Sequence, residues 1–211
     1  SSDLAMAHQL IYTSAPQGLQ AGRSGYCTVA HSRDLRERLI LPLEQYSSYT
    51  HLVLPGDAAF GDAMRNLRSA GWDQAITEGI AAEKPFLGIC VGLQLMFGES
   101  EEMGQHSGLG ILPGKCVRFP AVERVPQIGW NQIAIKREVS LLEGVPDETF
   151  FYFVHSYYVE TADEGDCVAT TDYGIDYTSI AGSGRIFGVQ FHPEKSQTHG
   201  LRLLDNFARL N

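Results

Sequence analysis

Lys84-Pro85-Phe86-Leu87-Gly88-Ile89-Cys90-Val91-Gly92-Leu93-Gln94-Leu95-Met96-Phe97 is the stretch on which the reading of this chain turns. Its first half, Pro85 to Ile89, is an apolar run of strand length; its second half, Cys90 to Phe97, carries apolar residues at helical spacing. The two halves meet at Gly88-Ile89-Cys90-Val91-Gly92. A strand that turns at once into a helix needs a tight backbone, and the flanking glycines permit it without side-chain clashes. A cysteine on such a turn stands clear of the sheet. The N–H groups that open the helix face its sulfur and favour the thiolate. Taken alone, G-x-C-x-G also fits a buried structural cysteine at a strand end.

Working outward, β and α signals alternate on the amino-terminal side. His51-Leu52-Val53-Leu54 before Pro55-Gly56 predicts a short buried strand, and 64–70 and 73–82 predict helices separated by Gly71. On the carboxyl-terminal side come strand-like runs at 116–119, 133–135, 149–159, 167–170 and 186–191. Leu201, Leu204, Phe207 and Leu210 then mark a closing helix. The pattern predicts an α/β fold, a mostly parallel open sheet flanked by helices. The first fifty residues differ. Strand signals at 9–13 and 26–30 flank a loop too short for a helical crossover, so a β-hairpin is expected, followed by a helix capped by Ser32 with Pro42 as an interruption.

The chain has 211 residues, 44% hydrophobic and 19% charged, which suits one domain with a sizeable core. No apolar run approaches the roughly 20 residues of a membrane span. Residues 1–50 carry four basic and four acidic side chains, and 51–211 carry twelve and twenty-one, so the whole formal charge of −9 lies beyond residue 50. An acidic balance without a basic stripe argues against nucleic acid as a partner. Cys27, Cys90, Cys116 and Cys167 lie far apart, which fits neither a disulfide framework nor a zinc site. With no basic-headed apolar leader, the expectation is a reduced, cytoplasmic protein.

His192-Pro193-Glu194 follows the apolar run ending at Phe191. A histidine at a strand end can deprotonate a thiol, and a nearby carboxylate can orient its ring. A surface loop histidine is the alternative. Together, the Cys90 turn and the His-Pro-Glu segment resemble the class I glutamine amidotransferases in order and spacing. Five segments resemble, more narrowly, the glutaminase subunits of imidazole glycerol phosphate synthase. They are Leu54-Pro55-Gly56 with Ala59-Phe60-Gly61-Asp62, Lys84 to Cys90, Pro126-Gln127-Ile128-Gly129-Trp130-Asn131, Phe153-Val154-His155-Ser156-Tyr157-Tyr158, and Gly188 to Ser196. The resemblance covers residues from about 50 to 211.

What the resemblance implies is hydrolysis of glutamine to glutamate, with the ammonia passed to a partner cyclase, a β/α barrel, in histidine biosynthesis. Cys90 would form a γ-glutamyl thioester, His192 would act as base and then acid, and Glu194 would orient it. Gly56, Gln94, Glu102, His155, Ser156 and Tyr157 match positions around the substrate. Glu102 suits the α-ammonium of glutamine; a solvated carboxylate at a helix end is its alternative. The oxyanion would be met by the N–H groups of Val91 and Asp57, and Trp130, Asn131 and Lys195 match the face toward the partner. Thiol chemistry supplies its own nucleophile, so no metal or cofactor is expected.

Two departures stand against this picture. The family's strand reads Pro-Gly-Val-Gly or close to it, whereas this chain has Pro55-Gly56-Asp57-Ala58. Alanine rotates a peptide less readily than glycine, and Asp57 would bring negative charge toward a developing anion if it pointed inward. Residues 1–49 also lack the family's glycine-rich opening turn, near the ammonia exit and the partner. The 211-residue chain thus reads as one glutaminase-like domain with an atypical segment, 1–49, and a weakened partner interface is expected. A catalytically impaired or inert scaffold, serving binding or merely a recombined product, is the alternative function. Amidotransferases for anthranilate or pyridoxal phosphate share the triad, but the 126–131 and 153–158 segments argue against them.

Overall fold

The computed structural model describes residues 50–120 and 124–210. The hairpin and helix expected within 1–49 lie outside these residues. Strand β1 (Leu52–Gly56) leads into helices α1 (Phe60–Ser69) and α2 (Trp72–Ala81), which part at Gly71, where φ is 75°. This crossover brings β2 (Phe86–Cys90) back parallel to β1, and the one-turn helix α3 (Val91–Leu95) follows without a loop. Short strands β3 (Glu99–Ser100) and β4 (His106–Ser107) and the longer β5 (Gly114–Arg118) come next. Then follow β6 (Gln127–Gln132), β7 (Ala134–Ile135), β8 (Phe150–His155) and β9 (Tyr157–Thr161). β10 (Cys167–Asp172), β11 (Asp176–Ser183), β12 (Ile186–Val189) and helix α4 (Gln197–Ala208) complete the described chain.

Among the described residues one ten-stranded sheet runs β1-β2-β12-β11-β9-β5-β3-β4, with β10 on β11 and β7 on β10, while β6 and β8 form a separate pair. The α/β sheet with flanking helices is the architecture expected from the sequence. Its parallel block is β1-β2-β12, and β3 also runs parallel to β5; the other pairs are antiparallel. The reason is connection length: only the long crossovers return a strand in the same direction, whereas the tight links from β10 through β12 reverse it. The sequence reading passes over β11. Its six inner residues, from Tyr177 to Gly182, are all buried, so it has no polar face to produce alternation. Pro55 and Gly56, expected to stop β1, instead continue it, paired with Ile89 and Cys90. β1 pairs only with β2 among the described residues, and proline is tolerated on a strand of that kind.

The parallel block has level ends. Gly56 lies beside Cys90, and Val189 beside Ile89, so the chain leaves all three strands at one edge. α3 sits directly on this block because glycines remove the side chains beneath it. A Cβ on Gly92 would stand 1.7 Å from the Leu54 carbonyl oxygen, and one on Gly188 would stand 2.4 Å from Leu93 Cδ1. Leu93, Leu95, Met96 and Phe97 are wholly buried there. No helix among the described residues is long and apolar enough to cross a membrane.

Gly92→Ala tests this seating. Alanine favours a helix over glycine by about 1 kcal/mol, yet the collision is with backbone, which cannot rotate away. A net loss of about 1–3 kcal/mol is expected, read as a lower urea midpoint by circular dichroism; an unchanged midpoint would show that α3 is not held against β1.

Candidate active site

Cys90 ends β2 with φ 54° and ψ −111°, a conformation that non-glycine residues rarely adopt. Its side chain is lifted to the edge where β1, β2 and β12 end, and only 4% of the residue is exposed. The sulfur lies 3.9 Å from the Val154 carbonyl oxygen on β8, to which its S–H can donate, and 3.8 Å from Gln190 Nε2.

His192 reaches the same edge from β12. Phe191, stacked on Phe151 at 4.0 Å between ring centroids, anchors the strand end in the core. Beyond it the His192 N–H donates to the Tyr152 carbonyl at 2.9 Å. Ser196 Oγ donates to the His192 carbonyl at 2.7 Å and accepts the Tyr152 N–H at 3.0 Å, fastening the turn to β8. Nδ1 of His192 donates to Glu194 Oε1 at 2.8 Å, which leaves Nε2 for the thiol. Burial by itself pushes this imidazole down, but hydrogen bonding and charge at Cys90 and Glu194 outweigh it and bring His192 up to about 9. Cys90, His192 and Glu194, 104 positions apart at the extremes, thus form one contiguous group. The other Glu194 carboxylate oxygen is buried without a hydrogen-bond partner among the described residues.

Gln94, on α3, is buried and donates from Nε2 to the Tyr157 carbonyl at 3.0 Å and to Gln190 Oε1 at 3.2 Å. Ser156 and Tyr157 are half-buried on the adjoining strand turn. His155 is different. Its Nδ1 donates to the Tyr157 carbonyl at 2.8 Å, Nε2 lies 3.2 Å from the Tyr177 hydroxyl, and Phe119 and Phe153 pack on the ring. Burial holds it down to about 4, against the backbone bond at Tyr157, so it is neutral at pH 7. Both ring nitrogens are occupied by the protein, and the imidazole offers no free donor or acceptor to a substrate.

Glu102 accepts the Phe60 N–H at 2.6 Å through Oε2. It thereby caps α1, whose own N-cap residue, Ala59, makes no side-chain bond. Residues 99–100 form β3 rather than the helix end considered from the sequence. A Cβ on Gly56 would stand 2.9 Å from Val91 Cβ, so the end of β1 and the start of α3 are adjacent. Asp57 is exposed and Ala58 packs against the core, so the carboxylate is solvated rather than turned inward.

Trp130, Asn131 and Lys195 gather around β6 and β8. Trp130 meets Tyr152 edge-on at 6.1 Å, and Lys195 Nζ lies 5.9 Å over the same ring. Asn131 is spent internally, donating to the Asp172 carbonyl at 2.8 Å. The outward face of this pair exposes Ile128 (63%), Trp130 (46%) and Phe150 (52%), an unusual amount of apolar surface. Gln190 and Ser196 fall within the segment from Gly188 to Ser196 without standing out there. A lone amide continuing an apolar strand is the available signal for Gln190; nothing local marks Ser196, whose Oγ bonds to another strand.

A family profile described as glutamine amidotransferase class-I matches residues 30–210. The chain is 48% identical over 158 residues to the imidazole glycerol phosphate synthase subunit HisH of Desulfitobacterium hafniense, covering 75% of each chain. It is 50% identical over 158 residues to the protein of the same name from Aquifex aeolicus, covering 75% of this chain and 76% of the other. Among solved structures, a glutamine amidotransferase superposes with a TM-score of 0.61 at 18% identity, over 83% of this chain and 91% of that one. The structure of PurLQS from Thermotoga maritima gives 0.58 at 17% identity, over 76% of this chain and 79% of that one. These two structures speak for the fold alone. The match across 30–210 and the identity to curated relatives carry the assignment: the chain belongs to the class I glutamine amidotransferases, a family of enzymes.

Proposed function

We propose that this chain hydrolyses glutamine at Cys90 and supplies the ammonia to a cyclase that makes imidazole glycerol phosphate, in histidine biosynthesis. The observation that carries the reading is His192, hydrogen-bonded to Glu194 and facing a backbone-strained Cys90 at the shared edge of three parallel strands. His192 takes the thiol proton, and the thiolate attacks the carbon of the glutamine side-chain amide. The oxyanion is met by N–H groups at Val91 and at the end of β1. The intermediate then collapses, the C–N bond breaks, and His192 returns the proton to the departing nitrogen, leaving ammonia and a γ-glutamyl thioester. Water attacks the thioester with His192 as base, releasing glutamate and restoring the thiol. Gly56, Gln94, Ser156, Tyr157 and the free oxygen of Glu102 surround the substrate in this reading. A thiol nucleophile suits a reduced, cytoplasmic setting.

The partner docks on the outer face of β6 and β8. Ile128, Trp130 and Phe150 supply apolar surface there and Lys195 supplies charge at its rim. β8 also carries the carbonyls of Val154 and Tyr152 that touch Cys90 and His192, so docking surface and chemistry share a wall. Pro55-Gly56-Asp57-Ala58 supports a second reading, a glutaminase of impaired turnover, because loss of one oxyanion donor costs about 2.7–4 kcal/mol.

Glutamine hydrolysis with and without a cyclase subunit of the HisF type separates these readings. Cys90→Ala is expected to lower turnover by several orders of magnitude; residual activity near wild type would exclude Cys90 as nucleophile. The alkaline limb of the wild-type pH–rate profile is expected through about pH 9, where His192 loses the proton the departing nitrogen needs. Glu194→Gln removes a carboxylate that raises His192, so this limb should move to lower pH; a stationary limb would dissociate Glu194 from the imidazole. Trp130→Ala should weaken cyclase binding by about 2 kcal/mol, roughly thirtyfold in Kd, measured by calorimetry, while an unchanged Kd would place the interface elsewhere.

A further inference from the structure

β12 is an apolar strand, Ile186-Phe187-Gly188-Val189, and the chain continues as Gln190-Phe191 before His192. Gln190 is wholly buried, between two residues that are themselves wholly buried. A side-chain amide in such a place needs partners for both its ends, because an unsatisfied buried polar group is costly. Its Oε1 accepts from Gln94 Nε2 at 3.2 Å, and its Nε2 lies 3.8 Å from Cys90 Sγ.

The orientation of this amide follows from its neighbours. The Tyr157 carbonyl can only accept, so the amino group of Gln94 must face it, at 3.0 Å. The second N–H of that amino group points at Gln190, which must answer with its oxygen. The amino group of Gln190 is left for the sulfur, and turning the amide over would oppose two N–H donors. Meanwhile the backbone N–H of Gln190 donates to the Ser179 carbonyl at 2.8 Å, holding the residue in line with β11.

We propose that Gln190 is a positioning residue for the Cys90 sulfur, an N–H donor locked in one orientation by Gln94 and the Tyr157 carbonyl. The assignment rests on Cys90 being the nucleophile. The sulfur has two polar neighbours, Gln190 Nε2 at 3.8 Å and the Val154 carbonyl oxygen at 3.9 Å. While it is a thiol, Val154 can accept its S–H. Once the proton has passed to His192, the Val154 oxygen repels the anion, and the Gln190 N–H gains strength because its acceptor is charged. Gln190 thus favours the thiolate over the thiol. It does so from a wholly buried position in the core.

Alkylation of Cys90 by iodoacetamide, followed on the Cys90 peptide by mass spectrometry across the pH range, tests this without a substrate. Gln190→Met keeps the volume and removes the donor; alkylation at neutral pH should slow about tenfold, as expected for loss of a hydrogen bond to a charged group, with the profile displaced to higher pH. Gln190→Glu keeps both size and the acceptor for Gln94 but turns a carboxylate oxygen to the sulfur, and should slow alkylation further. In the glutaminase assay kcat should fall with KM little changed. Circular dichroism checks folding, and if Gln190→Met does not fold, Gln190→Glu carries the test. A folded variant of either kind alkylated at the wild-type rate across the range would overturn the proposal. Wild type that hydrolyses no glutamine would overturn the proposed function and leave the Gln190 assignment to the alkylation data.

Discussion

The seat of α3 on the ends of β1, β2 and β12 is the constraint on which the rest of this structure depends. Gly92 lies against the Leu54 carbonyl, and Gly88 and Gly188, opposite one another across β2 and β12, leave no side chains between helix and sheet. That approach forces the turn at Cys90, whose positive φ costs about 1–3 kcal/mol. Burying Leu93, Leu95, Met96 and Phe97 contributes about 1.5–3 kcal/mol for each large side chain, so the strain is comfortably offset. Strain at the sulfur and apolar packing beneath it are therefore two ends of one arrangement.

Around that turn the same kind of side chain is driven in opposite directions. His155 and His192 are both largely buried, yet one is held down to about 4 and the other raised to about 9. The difference lies in their partners. His155 meets a carbonyl and a phenol, which do not offset desolvation, whereas His192 meets Cys90 and the Glu194 carboxylate, whose hydrogen bonds and charge do. A neutral ring that braces Tyr157 and a charged ring that faces Cys90 follow from placement alone. The segment running from β8 into β9 links them, because its backbone carbonyls serve His192, Cys90, Gln94 and His155 in turn.

Much of this was legible in the sequence because the signals are local. Gly-x-Cys-x-Gly at a strand–helix junction, the break at Gly71 and the apolar spacing of the closing helix each depend on residues within a few positions of one another. β11 was not legible, since burial on both faces erases alternation. Gln190 and Ser196 escaped because their bonds reach residues 100 and 44 positions away. Glu102 was legible as a carboxylate of interest but not as the cap of α1, since its partner, Phe60, lies 42 residues earlier.

By itself, the sequence determined that β and α elements alternate, that Cys90 sits on a tight turn, and that His192 and Glu194 are close enough to pair. Those are short-range facts, written in spacing and in glycine. Only the tertiary structure decided that the ends of β1, β2 and β12 stand level, which brings Gly56, Cys90 and Gln190 to one edge, and that His155 is spent on the core while Gln190 turns its N–H to the sulfur. Strand register and the direction of a buried amide are settled by which groups can accept and which can donate across the fold, and those partners are distant in the chain.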